Sequence, residues 1–186
     1  MIENKEAIYM IPSTGIISNV PNGFSVMKNK NIWTEFNNGL YVDVNKQLNN
    51  RTMMKLMPYI LVTNNFKEFL VVEDLNTKEY TLGYSDYIYN DDGFNEPLLH
   101  ASSRIFCANF ENLSSKTQPL KHVGYIRNIE HNNNLYIVFE ASYPKLHIQS
   151  KFEEKTTRSH WMSKNELIDK YRKFDDVSRI VIDGMI

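Results

Sequence analysis

One cysteine, Cys107, stands in a chain of 186 residues, so no intrachain disulfide can form, and without a CxxC pair or a Cys/His cluster there is no structural zinc signature. A reducing cytosol suits such a chain, and a cytoplasmic location is expected. Glycine and proline are scarce, at 7 and 6, and no repeat or low-complexity linker divides the sequence. That favours one domain over two. No apolar run comes near the roughly 18 residues of a membrane span, and Met1 to Met10 is broken by Glu3, Lys5 and Glu6. Neither a membrane span nor a targeting segment is expected. Excess charge of one sign is missing too, with 21 Lys and Arg against 22 Asp and Glu. The basic footprint of a nonspecific nucleic-acid binder is therefore lacking, and nucleic acid is unsupported as a partner.

What the chain does have is apolar and aromatic side chains, 42% and 12% of its residues, enough for one substantial core. Asparagine, scattered over 22 positions, hints at an AT-rich genome such as that of a low-GC bacterium or its mobile elements. Ala7 to Pro12 reads as a short strand, and Pro21-Asn22-Gly23 is turn chemistry. Two apolar runs, Pro58 to Val62 and Phe69 to Val72, flank Asn64-Asn65 as the arms of a hairpin. His122 to Ile126 and Leu135 to Phe139 flank the polar tip His131 to Asn134 as a second one, and both arms are rich in β-branched and aromatic residues.

Between the hairpins, Asn95-Glu96-Pro97 predicts a helix start, with Asn95 as cap and Pro97 in the first turn where its missing N–H costs nothing. The helix should run to about Phe110. Ser163-Lys-Asn-Glu166 is a capping box, after which Leu167, Ile168 and Tyr171 supply one apolar face. A last amphipathic segment, Val177 to Met185, places Val177, Ile180, Val181 and Met185 at helical spacing. Strands, helix, strands and helices without regular βαβ alternation predict an α+β domain, a mixed sheet between helices.

That order resembles a Nudix domain, and several local sequences resemble one bacterial subgroup of the family. They are Met57-Pro-Tyr-Ile60, His122-Val-Gly124 leading into a strand that pairs with Leu135 to Phe139, Trp161-Met-Ser163 before Glu166-Leu167, and Asp175 to Asp183 with Val177-Ser-Arg-Ile180 inside it. The resemblance covers nearly the whole chain. It implies the Nudix fold as a single domain over residues 1–186, with 1–56 as an N-terminal extension packed on it.

The family signature, GX5EX7REUXEEXGU with U a bulky aliphatic residue, holds magnesium or manganese beside a diphosphate. With Arg104 on its arginine, the glutamate eight residues earlier falls on Glu96, and the U after the arginine pair falls on Phe106. The resemblance thus implies that Glu96 and Arg104 are a remnant of the signature whose task is to brace the loop against the helix. The metal-binding carboxylates do not follow. The first glycine falls on Asn90, the glutamate after the arginine on Ile105, the paired glutamates on Ala108 and Asn109, and the last glycine on Glu111. A hard divalent cation needs oxygen ligands, and Leu98 to Phe110 holds no carboxylate in any register.

Leu98, Ala101, Ile105 and Ala108 form an apolar stripe at helical spacing, with Leu99, Phe106 and Phe110 on a neighbouring face. Either the former cleft has filled with core, or an apolar patch awaits a partner. Tyr87 and Tyr89, alternating as in a strand, then join Ile105, Ala108 and Asn109 as the candidate cleft or partner surface. Core packing is the plainer account of the tyrosines. Asp91-Asp92-Gly93 reads first as an Asx-type turn and Glu153-Glu154 as exposed charge, although Asp91, Asp92 and Glu96 form a weak alternative metal set. The histidines, His100, His122, His131, His147 and His160, show no ligand spacing, and Cys107 reads as a packing residue.

The expected function is a catalytically inactive Nudix-fold binding protein that engages a protein partner or a nucleotide-like ligand, with a phage or mobile-element inhibitor of a host protein as a setting. Two rivals stay open. One is a divergent metal-dependent hydrolase of a nucleoside diphosphate derivative, whose site for Mg or Mn is rebuilt from Asp91, Asp92, Glu96 or Glu153 and Glu154. The other is a structural subunit with a filled cleft. No cofactor is expected unless the hydrolase reading holds, and pairing with a second copy stays open.

Overall fold

In the computed structural model the described residues are 7–17, 20–26, 32–44, 52–93, 95–109, 120–128, 134–143 and 156–186. Their strands are β1 (Ala7–Pro12), β2 (Gly23–Ser25), β3 (Leu40–Asp43), β4 (Met53–Thr63), β5 (Phe69–Asp74), β6 (Tyr80–Leu82), β7 (Tyr84–Ser85), β8 (Lys121–Asn128), β9 (Asn134–Ser142) and β10 (Thr157–Met162). The helices are α1 (Ser13–Ile17), α2 (Ile32–Phe36), α3 (Pro97–Asn109), α4 (Lys164–Asp169) and α5 (Asp176–Met185). Among the described residues no helix is long and apolar enough to cross a membrane.

All ten strands join one sheet, whose main path runs β10-β5-β4-β9-β8-β2, with β1 and β7 also on β4, β3 on β1 and β6 on β5. The pair β4 and β9 is parallel and the other pairs are antiparallel, so the sheet is mixed, as the element order predicts. β1, β2 and β3, all N-terminal to β4, are members of this sheet.

β4 shows why its sequence is an almost unbroken apolar run. Met54, Leu56, Ile60 and Val62 enter one core cluster together with Leu98, Ala101, Ile105 and Phe106 of α3. Tyr59 and Leu61 point the other way, into a cluster with Leu167 of α4 and Val181 and Ile182 of α5. A strand covered on both faces needs apolar residues at odd and even positions alike. Each large side chain fully buried in this way contributes about 1.5–3 kcal/mol.

Both expected hairpins form. β4 turns into β5 with Thr63 opposite Phe69, and the Asn64 side chain locks the tip by accepting the Phe66 and Glu68 amides at 2.9 and 3.0 Å. β8 pairs with β9 from Lys121↔Glu140 to Asn128↔Asn134, and the intervening tip, His131 included, lies outside the described residues. The Ser163 and Glu166 capping box closes at the start of α4.

Two local expectations need correction. Ile168 is 55% exposed while Leu167 is fully buried, because neighbouring residues of a helix point about 100° apart and only the Leu167 side of α4 meets the core, with Tyr171 packed against the same cluster. At the start of α3, Pro97 is the first helical residue, but Glu96 rather than Asn95 flanks it, with φ of 53° and a carbonyl that accepts from Leu99 and His100.

Two of the resembling segments meet in space. Ser178 of α5 accepts the Leu82 amide at 2.8 Å and donates to Asp175 at 2.9 Å, while the Tyr59 hydroxyl lies 3.3 Å from it and donates to the Leu82 carbonyl. This buried network ties β4, β6 and α5 together. Gly184 lets the helix come in close over β2, since a Cβ there would lie 2.4 Å from Cβ of Phe24.

Candidate functional site

The loop between β7 and α3 is an irregular stretch that packs its alternate residues. Ile88 is fully buried, while Tyr87 and Tyr89 on either side are half-buried and meet edge to face at 6.2 Å. Tyr89 bridges to Ile8 of β1, and the Ile88 carbonyl accepts the Tyr9 amide at 2.9 Å. The alternation expected of these tyrosines is thus present without a regular strand. Each ring also faces a cation, with Lys55 Nζ 5.3 Å from the Tyr87 centroid and Arg104 Cζ 5.2 Å from that of Tyr89.

Arg104 is the hub that joins the loop to α3. Its Nε and one terminal nitrogen donate to the two oxygens of Asp92 at 2.8 and 3.0 Å. The other terminal nitrogen donates to Asp86 at 3.0 Å, and a fourth bond reaches the Tyr87 carbonyl at 2.7 Å. The planar fork of a guanidinium suits this two-sided grip. Burial alone would lower the Arg104 pKa, but the hydrogen bonds and charges of Asp92 and then Asp86 raise it.

Asp92 is the buried partner, its side chain 4% exposed, and it also accepts the Tyr89 amide at 2.9 Å. The Asp92 carbonyl meets His100 Nδ1 at 2.9 Å. Gly93 follows at φ of 85°, and its carbonyl accepts from the Tyr41 hydroxyl. Burial, with the Asp92 charge nearby, pushes the Tyr41 hydroxyl up to about 12. Burial and then Asp86 do the same for Tyr89, also to about 12.

The site residues separate as follows. Arg104 does brace the loop against the helix, but through Asp92 and Asp86, while Glu96 is exposed in the turn before α3. Ile105 is 4% exposed and lies in the main core with Leu98 and Ala101. Ala108 is exposed, Cys107 half-buried, and Asn109 ends α3. So Ile105 leaves the proposed surface, and what faces outward is Leu99, His100 and Ala108 on the helix beside the tyrosine loop. Phe94, Phe110, Glu111, His147, Glu153 and Glu154 lie outside the described residues. Lys55 and Tyr41 were missed because they come from distant strands, and nothing in their local sequence marks them.

No family model matches the chain, and no curated protein matches it. Solved structures do. The chain is similar to Tm1382, classed as a Nudix hydrolase, with a TM-score of 0.79 at 16% identity over 96% of this chain and 97% of that one. DR0079 from Deinococcus radiodurans gives 0.52 at 7% identity, over 69% and 80% of the two chains. The MutT protein from Methanosarcina mazei gives 0.50 at 15% identity, over 70% and 91%. At such identities the likeness is one of fold, and the chain has the Nudix fold.

Among the described residues, the side chains at the positions that the resemblance assigns to a metal do not suit a hard cation. Ile105 is in the core and Ala108 has no oxygen to offer, whereas a hard cation takes oxygen ligands. Of the weaker set, Asp92 already has both oxygens taken by Arg104. Among the described residues no three His, Cys, Asp or Glu side chains gather in a metal-holding group.

Proposed function

We propose that this Nudix-fold chain binds a partner or ligand without hydrolysing it, using the tyrosine loop and the outer face of α3. One observation carries the reading: the helix keeps the arginine that holds its preceding loop, while the position expected to bear a metal-binding glutamate, Ile105, is packed into the core. A buried isoleucine cannot return to metal duty without opening the core, whereas the loop brace still presents Tyr87, Tyr89 and Lys55 as a rigid aromatic and cationic surface. Such rings offer contact area at little entropic cost, to a protein side chain or to a base. A phage or mobile-element inhibitor of a host protein is one setting in which a scaffold of this kind would serve.

The test is direct. Pure protein is incubated with a panel of nucleoside diphosphate derivatives in magnesium and in manganese, and turnover is compared with that of E96Q. No turnover, together with binding of a nucleotide or partner that Y87A/Y89A weakens, is the expected result. Metal-dependent turnover abolished in E96Q would establish the hydrolase instead.

A further inference from the structure

His122 stands apart from the candidate site, on β8, inside a box of rings. Its imidazole centroid lies 5.1 Å from that of Trp33 on α2, 5.6 Å from that of Tyr125 on β8 and 5.8 Å from that of Phe139 on β9. Residues three apart on a regular strand face opposite ways. The register shift between His122 and Gly124 turns His122 and Tyr125 to the same side. Among the described residues His122 Nε2 is buried without a hydrogen-bond partner.

α2 is the element that this box secures. A helix of five residues cannot hold itself together in water, so its docking rests on its two rings. Phe36 is 1% exposed and meets Tyr125 at 6.2 Å, and Trp33 meets Phe36 at 5.4 Å as well as His122. Tyr9 of β1 adds a tie, its hydroxyl donating to the Phe36 carbonyl and accepting the Gly39 amide, both at 3.0 Å.

The box suits an imidazole only without charge. A proton would make both ring nitrogens donors and place a full charge away from water beside an unpartnered atom. The charged groups on the surrounding elements do not offset this. Lys121 and Glu140 alternate to the opposite face, where Glu140 accepts from Thr63. Arg127, on the Tyr125 side of β8, is a like charge that donates to the Val20 carbonyl at 2.8 Å. Glu35 precedes Phe36 on α2, and burial pushes the Tyr125 hydroxyl up to about 12, so it stays neutral. None of these charges is among the causes that move His122. Burial lowers its pKa, and a backbone bond to Gly124 opposes that more weakly.

We propose that His122 is a proton-sensitive latch on α2, which stays docked while the imidazole is neutral and is freed, with Trp33 and Phe36, as the ring takes up a proton. With α2 undocked the ring is wet and titrates as an ordinary histidine, near 6.5. The undocked form therefore binds the proton first. Docking is intact above about pH 6.5 and weakens below it by up to about tenfold per pH unit, until the docked ring itself protonates. The latch uses no residue of α3 or of the tyrosine loop, so it stands or falls independently of the proposed function.

The test follows the full chain by NMR from about pH 7.5 to about 5, the His122 ring being assigned through its contacts to Trp33. A His122 midpoint below about 6.5 is expected. Amide protection over residues 33–38, corrected for the intrinsic exchange rate, should fall by up to about tenfold per pH unit while the β4 amides keep theirs. H122F keeps a ring in the box and removes the titration, so its α2 protection should not vary with pH. If H122F fails to fold, the wild-type titration still decides. A midpoint at or above about 6.5, as rings holding an imidazolium over their faces would give, overturns the proposal. So do α2 protection that ignores pH, equal losses in α2 and β4, and the wild-type pH dependence persisting in H122F.

Discussion

Replacing Arg104 by methionine keeps the aliphatic stem against the helix and deletes four hydrogen bonds at once, two to Asp92 and one each to Asp86 and the Tyr87 carbonyl. What remains is the Asp92 carboxylate, 4% exposed, with the Tyr89 amide at 2.9 Å. Stranding one member of a buried ion pair costs about 3–5 kcal/mol. The Arg104 and Asp86 side chains are 35% and 36% exposed, so water screens part of that. We expect a loss of roughly 3 kcal/mol, which for a domain of this size is roughly 6–12 °C of melting temperature. A double-mutant cycle then assigns the loss. R104M with D92N should show a coupling of about 2 kcal/mol, while R104M with E96Q should show less than about 0.5 kcal/mol. Urea unfolding of the wild type and the five variants supplies the numbers. If Glu96 couples to Arg104 as strongly as Asp92 does, the spacing in the sequence was the better guide and the loop geometry is wrong.

Three further expectations follow from the packing. Ser178→Ala removes the acceptor of the buried Leu82 amide and should cost about 2–3 kcal/mol in chemical denaturation; a loss under about 0.5 kcal/mol would mean that the network does not hold α5. Leu167→Ala should cost about 3 kcal/mol and Ile168→Ala under about 0.5 kcal/mol, and equal losses would contradict the one-sided packing of α4. The hydroxyls of Tyr41, Tyr89 and Tyr125 are each pushed up to about 12, mainly by burial, so the folded state favours the protonated phenol. That contribution is intact below pH 10, where unfolded tyrosine still holds its proton, and it fades between pH 10 and about 12 as the unfolded chain ionises first. Ultraviolet titration of the folded protein should show a late-titrating group of tyrosines, and a single midpoint near 10 would refute it.

The legible parts of this fold are those that the chain encodes locally. Apolar runs with Asn-rich tips gave both hairpins, Ser163 with Glu166 gave a helix start, and the spacing from Val177 to Met185 gave α5. The pairing of Arg104 was not legible. Glu96 stands at the expected distance along the chain, but a left-handed residue at that point turns the backbone, and two aspartates of an irregular loop reach the guanidinium first. Ile105 and Ala108 share a stripe in the sequence yet part company in space, because the sheet covers only the first. Lys55 and Tyr41 come to the loop through strand pairing, which a single sequence does not display.

The strand order sets a clock on the chain's own assembly. Among the described residues β2 pairs only with β8, Gly23 opposite Arg127, so its partner is made about 100 residues later, or about 5–20 s at ordinary synthesis rates. β1 waits a shorter time for β4, and β10 must come back past α3, β8 and β9 to reach β5. Contacts so far apart in sequence make for slow closure. The nascent chain therefore carries unpaired strands for seconds, and the Phe24 and Gly184 contact joins two points so far apart in the sequence that it closes only after both β2 and α5 have been made.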